Sequence, residues 1–148
     1  MNSLHRCVVA LVLTGAALVA IAAEPAVRPV PVLPQSLTWF SPPDNPALQG
    51  SWVLGAEKQP GPYLLRVKLG AGGKIAPHRH PDERVSTVLA GTIYVGFGSV
   101  FDASKVVAIP TGGVYVAPAN LPHYVWAKDG EAQYQEAGFG PTGNLPPR

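Results

Sequence analysis

The stretch GGKIAPHRHPDERVSTVLAG, residues 72–91, contains two of the four histidines of this 148-residue chain, His78 and His80. In a β-strand, side chains two residues apart point to the same face, so these two imidazoles are predicted to lie side by side on one face of a sheet. Two neutral imidazoles in this arrangement can share one metal cation. The stretch therefore predicts part of a metal site on a strand.

A second stretch, GGVYVAPANLPH at residues 112–123, ends on His123. The turn PANLP precedes this histidine, so His123 is predicted to begin another strand. If that strand pairs with the one that carries His78 and His80, the three imidazoles can form a facial three-nitrogen site. Three protein ligands leave coordination positions open, which is the condition for metal-assisted chemistry.

Short runs of β-branched and aromatic residues, separated by Gly, Pro, Asn and Asp, occupy most of the chain around these two stretches. This pattern predicts an all-β domain, because such runs are typical of strands and the separating residues are typical of turns. Strands are predicted near residues 51–54, 63–69, 74–80, 85–90, 92–97, 106–109, 114–117, 123–127 and 132–139. Many short antiparallel strands must hide their edges, which favours a closed or double-sheet architecture.

Residues 1–23 have the pattern of a secretory signal peptide. A short polar start carrying Arg6 precedes an apolar run over residues 8–22, which ends in small residues suited to cleavage after Ala22 or Ala23. The protein is therefore expected to be exported, either periplasmic or secreted, with no membrane attachment after cleavage. Cys7, the only cysteine, would be lost with the signal peptide, so the mature protein would form no disulfide.

The remainder of the chain divides by composition. Residues 24–50 are rich in proline and predict an N-terminal arm or linker, residues 51–140 contain the strand pattern, and residues 141–148 predict a C-terminal tail. Without residues 1–23, ten basic residues face nine acidic ones and no basic cluster remains. Nothing in this charge pattern indicates nucleic acid as a partner.

The two histidine stretches together resemble the two ordered motifs of the cupin superfamily. The matching residues are Gly72, His78, His80 and Gly91 in the first motif, and Gly112, Pro118 and His123 in the second. The resemblance implies an all-β double-stranded β-helix, the jelly-roll barrel of cupins, as a single domain behind the Pro-rich arm. It also implies a divalent metal ion, such as iron, manganese, zinc, nickel or copper, held by three histidines and a glutamate, and a homodimer.

Arg84 stands where the resemblance implies the glutamate ligand. An arginine cannot ligate a metal, and an inward Arg84 about 5 Å from a bare dication would cost about 6 kcal/mol at an effective dielectric of about 20. Four arrangements are open: a bulge after Pro81 that turns Glu83 inward as the fourth ligand, a site of three histidines alone, Arg84 at the pocket mouth holding a ligand anion, or Arg84 facing solvent.

The leading functional hypothesis is a metal-dependent enzyme acting on a small molecule, with a dioxygenase-type oxidoreductase as first choice. An isomerase, cyclase or decarboxylase fits the same site. The alternatives are a non-catalytic module that binds a small ligand or a metal, and a metal-free structural cupin dimer. Side chains on the predicted strands that could form the pocket walls are Tyr94, Tyr115, Tyr124, Trp126, Gln133 and Gln135.

Overall fold

The computed structural model describes residues 31–148, so the predicted signal peptide, residues 1–23, lies outside the described residues. The described elements are one short 3-10 helix, Pro34–Ser36, and nine strands. The strands are β1 (Leu48–Leu54), β2 (Gly61–Leu69), β3 (Lys74–His78), β4 (Arg84–Ala90), β5 (Thr92–Phe97), β6 (Val107–Pro110), β7 (Val114–Ala117), β8 (His123–Trp126) and β9 (Ala132–Gly140).

All nine predicted strands are present, and their observed ends differ from the predicted ones by at most three residues. The largest difference is at β1, which begins at Leu48 because the backbone of Gly70 bonds to Ala47 and the ladder with β2 starts at Leu48. β3 ends at His78, two residues before its predicted end, and its ladder with β8 has an irregularity between Ile75 and His78.

The strands form two antiparallel sheets. The five-stranded sheet has the order β1-β2-β9-β4-β7, and the four-stranded sheet has the order β3-β8-β5-β6. Inward-facing residues of both sheets, among them Leu69, Val88, Ile93 and Tyr134, form one buried cluster between them. Removal of this apolar surface from water is the main stabilising contribution to the domain. The predicted all-β jelly-roll architecture is confirmed.

Two flanking segments contact the barrel. On the N-terminal side, Phe40 forms an antiparallel bridge with Gly50, and the Asn45 side chain donates to the backbone carbonyl of Lys74 at 2.8 Å. On the C-terminal side, Leu145 forms an antiparallel bridge with Arg79. Within residues 31–148, no helix has the length and apolar character needed to cross a membrane.

Candidate metal centre

The pairing of β3 with β8 places His78 directly opposite His123 in the four-stranded sheet. The imidazole centroids of these two residues lie 4.4 Å apart, and the ring of His80 lies 4.8 Å from that of His78 and 5.1 Å from that of His123. One ring nitrogen of each histidine lies within 4.8 Å of the others. The structure thus brings together the three histidines that the sequence singled out, from two separate segments of chain.

His80 reaches this cluster from the loop after β3 rather than from the strand itself. The backbone carbonyl of His80 accepts a hydrogen bond of 2.7 Å from the N–H of Asn120, in the turn before His123. Asn120 has a φ of 62°, a left-handed conformation that asparagine tolerates better than most side chains. This turn therefore fastens the two histidine segments to each other.

Each of the three imidazoles has its Nδ1 atom against a backbone carbonyl oxygen. The contacts are His78 to Ala76 at 2.8 Å, His80 to Gly143 at 3.2 Å, and His123 to Leu121 at 3.3 Å. A carbonyl oxygen can only accept, so Nδ1 carries the proton and Nε2 keeps its lone pair. The Nε2 atom of His80 is buried and has no hydrogen-bond partner in residues 31–148.

Burial keeps these imidazoles neutral. Desolvation is the main cause that lowers the pKa of His80 to about 3 and that of His123 to about 4, and it also lowers the pKa of His78. The positive charge of Arg84 lowers all three pKa values further. A neutral imidazole with its lone pair on Nε2 is the form that binds a metal ion.

Arg84 is buried beside the histidines, with only 2% of its surface exposed, so the solvent-facing arrangement is wrong. Its guanidinium lies 2.7 Å from a carboxylate oxygen of Glu136, 3.3 Å from one of Asp82 and 3.7 Å from one of Glu57. The inward direction follows from strand alternation, because Arg84 shares its face with the buried residues Ser86 and Val88.

Glu83 is exposed and does not join the histidine cluster in this structure. It borders a groove on the outside of the barrel, together with Val85 and Phe139. A bulge that turned Glu83 inward would have to turn Arg84 outward, whereas β4 begins at Arg84 and pairs regularly with β7 from that residue. The structure therefore contradicts the arrangement in which Glu83 completes the ligand set.

Arg84 and the acidic groups around it shift one another's pKa values. Burial opposes the charge of Arg84, but Glu136, Tyr63 and Asp82 outweigh it and raise the pKa of this guanidinium. Burial also raises the pKa of Glu136, and the nearby guanidinium offsets part of that rise. Burial alone would raise the pKa of Asp82, but the hydrogen bond from Thr142 and the charge of Arg84 hold it below its ordinary value.

A cavity of about 160 Å³ opens beside the histidines. Its polar end carries His78, His80, Arg84 and Glu136, and its remaining wall is mostly apolar. The apolar lining residues are Phe40, Pro42, Leu48, Trp52, Leu65, Val67, Ile75 and Tyr134. Such a concave site, apolar with a few convergent polar groups, is typical of a small-molecule pocket.

The prediction of the pocket walls was wrong. None of Tyr94, Tyr115, Tyr124, Trp126, Gln133 and Gln135 is among the residues that line this cavity. On β9 the inward residues are Tyr134 and Glu136, one position away from the two predicted glutamines. Alternation of side chains along β9, counted from Ala132, would have placed the Glu136 carboxylate on the buried face. The wall residues between positions 40 and 52 have no local sequence pattern that predicts their place in the cavity.

The donor set fits a divalent transition metal. Three neutral imidazoles with Nε2 free suit iron, zinc, copper or nickel, and the unpartnered Nε2 of His80 is a buried polar atom that a metal ion would satisfy. The three carboxylates around Arg84 offset the repulsion that its charge would otherwise exert on a cation.

Comparison with known proteins agrees with the geometry. The family profile described as "Cupin domain" matches residues 65–134, which include all three histidines and Arg84. Residues 65–134 thus form a cupin domain. A curated relative, germin-like protein 5-1 of Oryza sativa subsp. japonica, is 37% identical over 68 residues, which are 44% of this chain and 30% of the relative. This chain therefore spans less than a third of that relative's length in the match.

Solved cupin structures share the fold at low sequence identity. The polyketide cyclase RemF from Streptomyces resistomycificus has a TM-score of 0.64 and 14% identity, over 76% of this chain and 80% of RemF. The oxalate decarboxylase of Bacillus subtilis, described with Mn(II) centres, has a TM-score of 0.57 and 13% identity, over 71% of this chain and 28% of that protein. The structural neighbours thus include enzymes. At this level of sequence identity, the similarity shows a shared fold.

Proposed function

We propose that this cupin is a metal-dependent enzyme that acts on a small molecule inside its barrel, with dioxygenase-type oxidation as the first choice. The observation that supports the proposal is the buried Nε2 of His80, which lacks a hydrogen-bond partner among residues 31–148. His80 belongs to the three-histidine cluster, and both His80 and His78 line a mostly apolar cavity. When bound, a divalent ion on three imidazoles would supply Lewis acidity and open coordination positions.

The chain's own residues would bind and orient the substrate. The apolar wall, including Trp52 and Leu65, would hold a compact apolar body, because the cavity measures only about 160 Å³. Arg84 is already matched by Glu136, Asp82 and Glu57, so the polar end favours a neutral or weakly acidic group over a strong anion. Small phenols and diketones meet these conditions better than carboxylates.

Glu136 is the group best placed to handle a proton at this polar end. Its carboxylate lines the cavity, accepts a bond from Nη1 of Arg84, and has a raised pKa because it is buried. A carboxylate with a raised pKa is a stronger base toward a hydroxyl proton than an exposed one. We assign it the role of proton acceptor for a phenolic or enolic hydroxyl.

The first experiment is elemental analysis of protein purified without chelator, followed by dioxygen consumption of the iron-loaded protein with small phenols, diketones and thiols. We expect about one metal ion per chain and oxygen uptake with at least one phenol or diketone. His80→Leu is the matched control and should lose both metal and uptake. Saturable ligand binding without turnover would favour the non-catalytic binding module, and a metal-free protein would favour the structural dimer.

Export and homodimer assembly are further parts of the proposal. Residues 1–23 support export through their composition alone. N-terminal sequencing of the protein from an exporting host tests it, because cleavage should leave a chain that begins at Ala23 or Glu24. Sedimentation equilibrium of that processed protein tests the dimer, and a monomer mass would contradict it.

A further inference from the structure

The C-terminal residues 142–146 run along the loop that carries His80. Arg79 and Leu145 form an antiparallel bridge in which each backbone N–H donates to the other residue's carbonyl, at 3.1 and 2.9 Å. The side chain of Arg79 adds a hydrogen bond of 3.2 Å from Nε to the carbonyl of Pro146. Because Arg79 lies between His78 and His80, this C-terminal segment is fastened to the histidine loop itself.

The same segment contacts His80 and two charged residues that follow it, Asp82 in the loop and Arg84 at the start of β4. The buried carbonyl of Gly143 accepts from Nδ1 of His80 at 3.2 Å and from Nη2 of Arg84 at 3.5 Å. The hydroxyl of Thr142 donates to the carboxylate of Asp82. Two consecutive residues, Thr142 and Gly143, therefore bond to His80 and to both members of the Asp82–Arg84 ion pair.

The three histidines differ in what orients them. The carbonyls that hold His78 and His123 belong to residues two positions earlier in the chain, so each of these contacts is local. The carbonyl that holds His80 comes from Gly143, 63 residues away. Only His80 thus depends on a distant segment for its tautomer and ring orientation.

We propose that residues 142–146 are a positioning segment of the metal centre, and that the Gly143 carbonyl fixes His80 as the Nδ1–H tautomer. The inference rests on the proposed metal site and adds a part of the chain that contributes no ligand. Without the Gly143 carbonyl, the buried Nδ1–H of His80 loses its acceptor, and the tautomer with the lone pair on Nδ1 becomes accessible.

The direct test is the tautomer of each histidine in the metal-free chain, measured from long-range ¹H–¹⁵N couplings in protein labelled with ¹⁵N-histidine. Leu145→Pro removes the backbone donor to Arg79 and should detach the segment, whereas Leu145→Ala keeps that donor and is its matched control. We expect Leu145→Pro, and a chain ending at Pro141, to change the tautomer signal of His80 alone.

Zinc affinity, measured by competition with a chromophoric chelator, is the second readout. Loss of a hydrogen-bond partner of a ligating histidine typically weakens metal binding by about 10-fold to 100-fold, so we expect that loss in Leu145→Pro and in the shortened chain. Leu145→Ala should keep the affinity of the unaltered chain. Ser99→Ala, which removes only the contact with the Arg148 carbonyl, should keep it as well.

An unchanged His80 tautomer together with unchanged zinc affinity in Leu145→Pro and the shortened chain would overturn the proposal. Equal changes at all three histidines would overturn it too, because they would indicate general unfolding rather than positioning. If the unaltered chain binds no zinc, the proposed function fails by that result alone. The tautomer of His80 in the metal-free variants then still decides the positioning role.

Discussion

At the scale of single residues, Arg84 is the feature that separates this cupin's site from the one its motif resemblance implies. A lone inward arginine would oppose a dication by about 6 kcal/mol at a distance of about 5 Å and a dielectric of about 20. Here three carboxylate groups lie within 2.7 to 3.7 Å of the guanidinium and offset that repulsion. Glu136 is the closest of them and is itself buried.

Glu136→Gln should therefore weaken metal binding although Glu136 is not one of the histidine ligands. The substitution keeps the shape of the side chain and removes one negative charge, which leaves more of the Arg84 charge facing the metal. We expect the affinity for Zn²⁺ to fall by about 10-fold, equivalent to about 1.4 kcal/mol. Isothermal titration with a competing chelator measures it.

Glu83→Gln provides the control for this prediction. Glu83 carries the same charge and is next to Arg84 in sequence, but it is exposed and lies outside the histidine cluster. Its neutralisation should leave zinc affinity within about twofold, because exposed charges are screened by solvent. A loss at Glu83 as large as that at Glu136 would contradict the assigned roles.

The Arg84–Glu136 ion pair leads to a second prediction, which concerns the free energy of unfolding. Arg84→Met leaves the carboxylate of Glu136 buried without its nearest cation, and breaking a buried ion pair from one side costs about 3–5 kcal/mol. The free energy of unfolding of the metal-free protein, from urea denaturation, should fall by about that amount.

The double variant Arg84→Met, Glu136→Leu should recover most of this loss, because it removes both charges together and fills the space with apolar side chains. A double variant no more stable than Arg84→Met alone would show that the pair is not the source of the effect. Both measurements belong in the metal-free protein, so that zinc binding does not contribute.

At the scale of elements, the pairing of β5 with β8 holds the second histidine segment in place. Gly96 on β5 lies directly opposite Tyr124 on β8, and the residue after Gly96 pairs with His123. The ring of Tyr124 is completely buried and covers Gly96, so that an added Cβ would lie 2.3 Å from the ring. The close approach of Tyr124 requires glycine at position 96.

Gly96→Ala should accordingly destabilise the domain. The aromatic ring cannot move away without disturbing the packing around it, and overpacking of this kind costs about 1–3 kcal/mol. Urea denaturation monitored by tryptophan fluorescence measures the change.

Gly70→Ala is the matched control for this substitution. An added Cβ at Gly70 has its nearest neighbour at 3.7 Å, an ordinary van der Waals contact. Its effect should stay within about 0.5 kcal/mol. Equal effects at the two glycines would mean that the Tyr124 ring adapts to a larger residue at position 96.

At the scale of the whole molecule, burial of the histidine cluster between the sheets links stability to pH. The pKa of His80 is lowered to about 3 and that of His123 to about 4, mainly by desolvation, from an ordinary value of 6.5. Between the folded pKa values and 6.5, the unfolded chain binds more protons than the folded one, so the free energy of unfolding rises with pH. The contribution of these two histidines to that free energy is fully present above about pH 6.5. Glu136, whose pKa is raised, contributes with the opposite sign.

The metal-free protein should therefore lose stability between pH 7 and pH 5, by on the order of 2 kcal/mol for each of these two histidines. Urea denaturation at the two pH values measures the loss. His80→Gln is the control and should show a smaller difference between pH 7 and pH 5. An equal pH dependence in that variant would contradict the assignment to His80.

The sequence predicted the strand order along the chain and the identity of the three histidines, because both depend on local chemistry. Alternation along a strand decides which residues share a face, and glycine, proline and asparagine decide where strands end. The pair His78 and His80 and the turn before His123 are signals of this kind. These features could be predicted from residues that are close to one another in the sequence.

Tertiary structure alone decided what surrounds the histidines. Glu136 and Gly143 follow Arg84 by 52 and 59 residues, and no local rule predicts that strand pairing brings them to one guanidinium. The register of β4 decided that Arg84 faces inward and Glu83 outward, since a shift by one residue exchanges the two faces. Local sequence specifies which groups a strand can offer, whereas packing between distant segments specifies which of them meet.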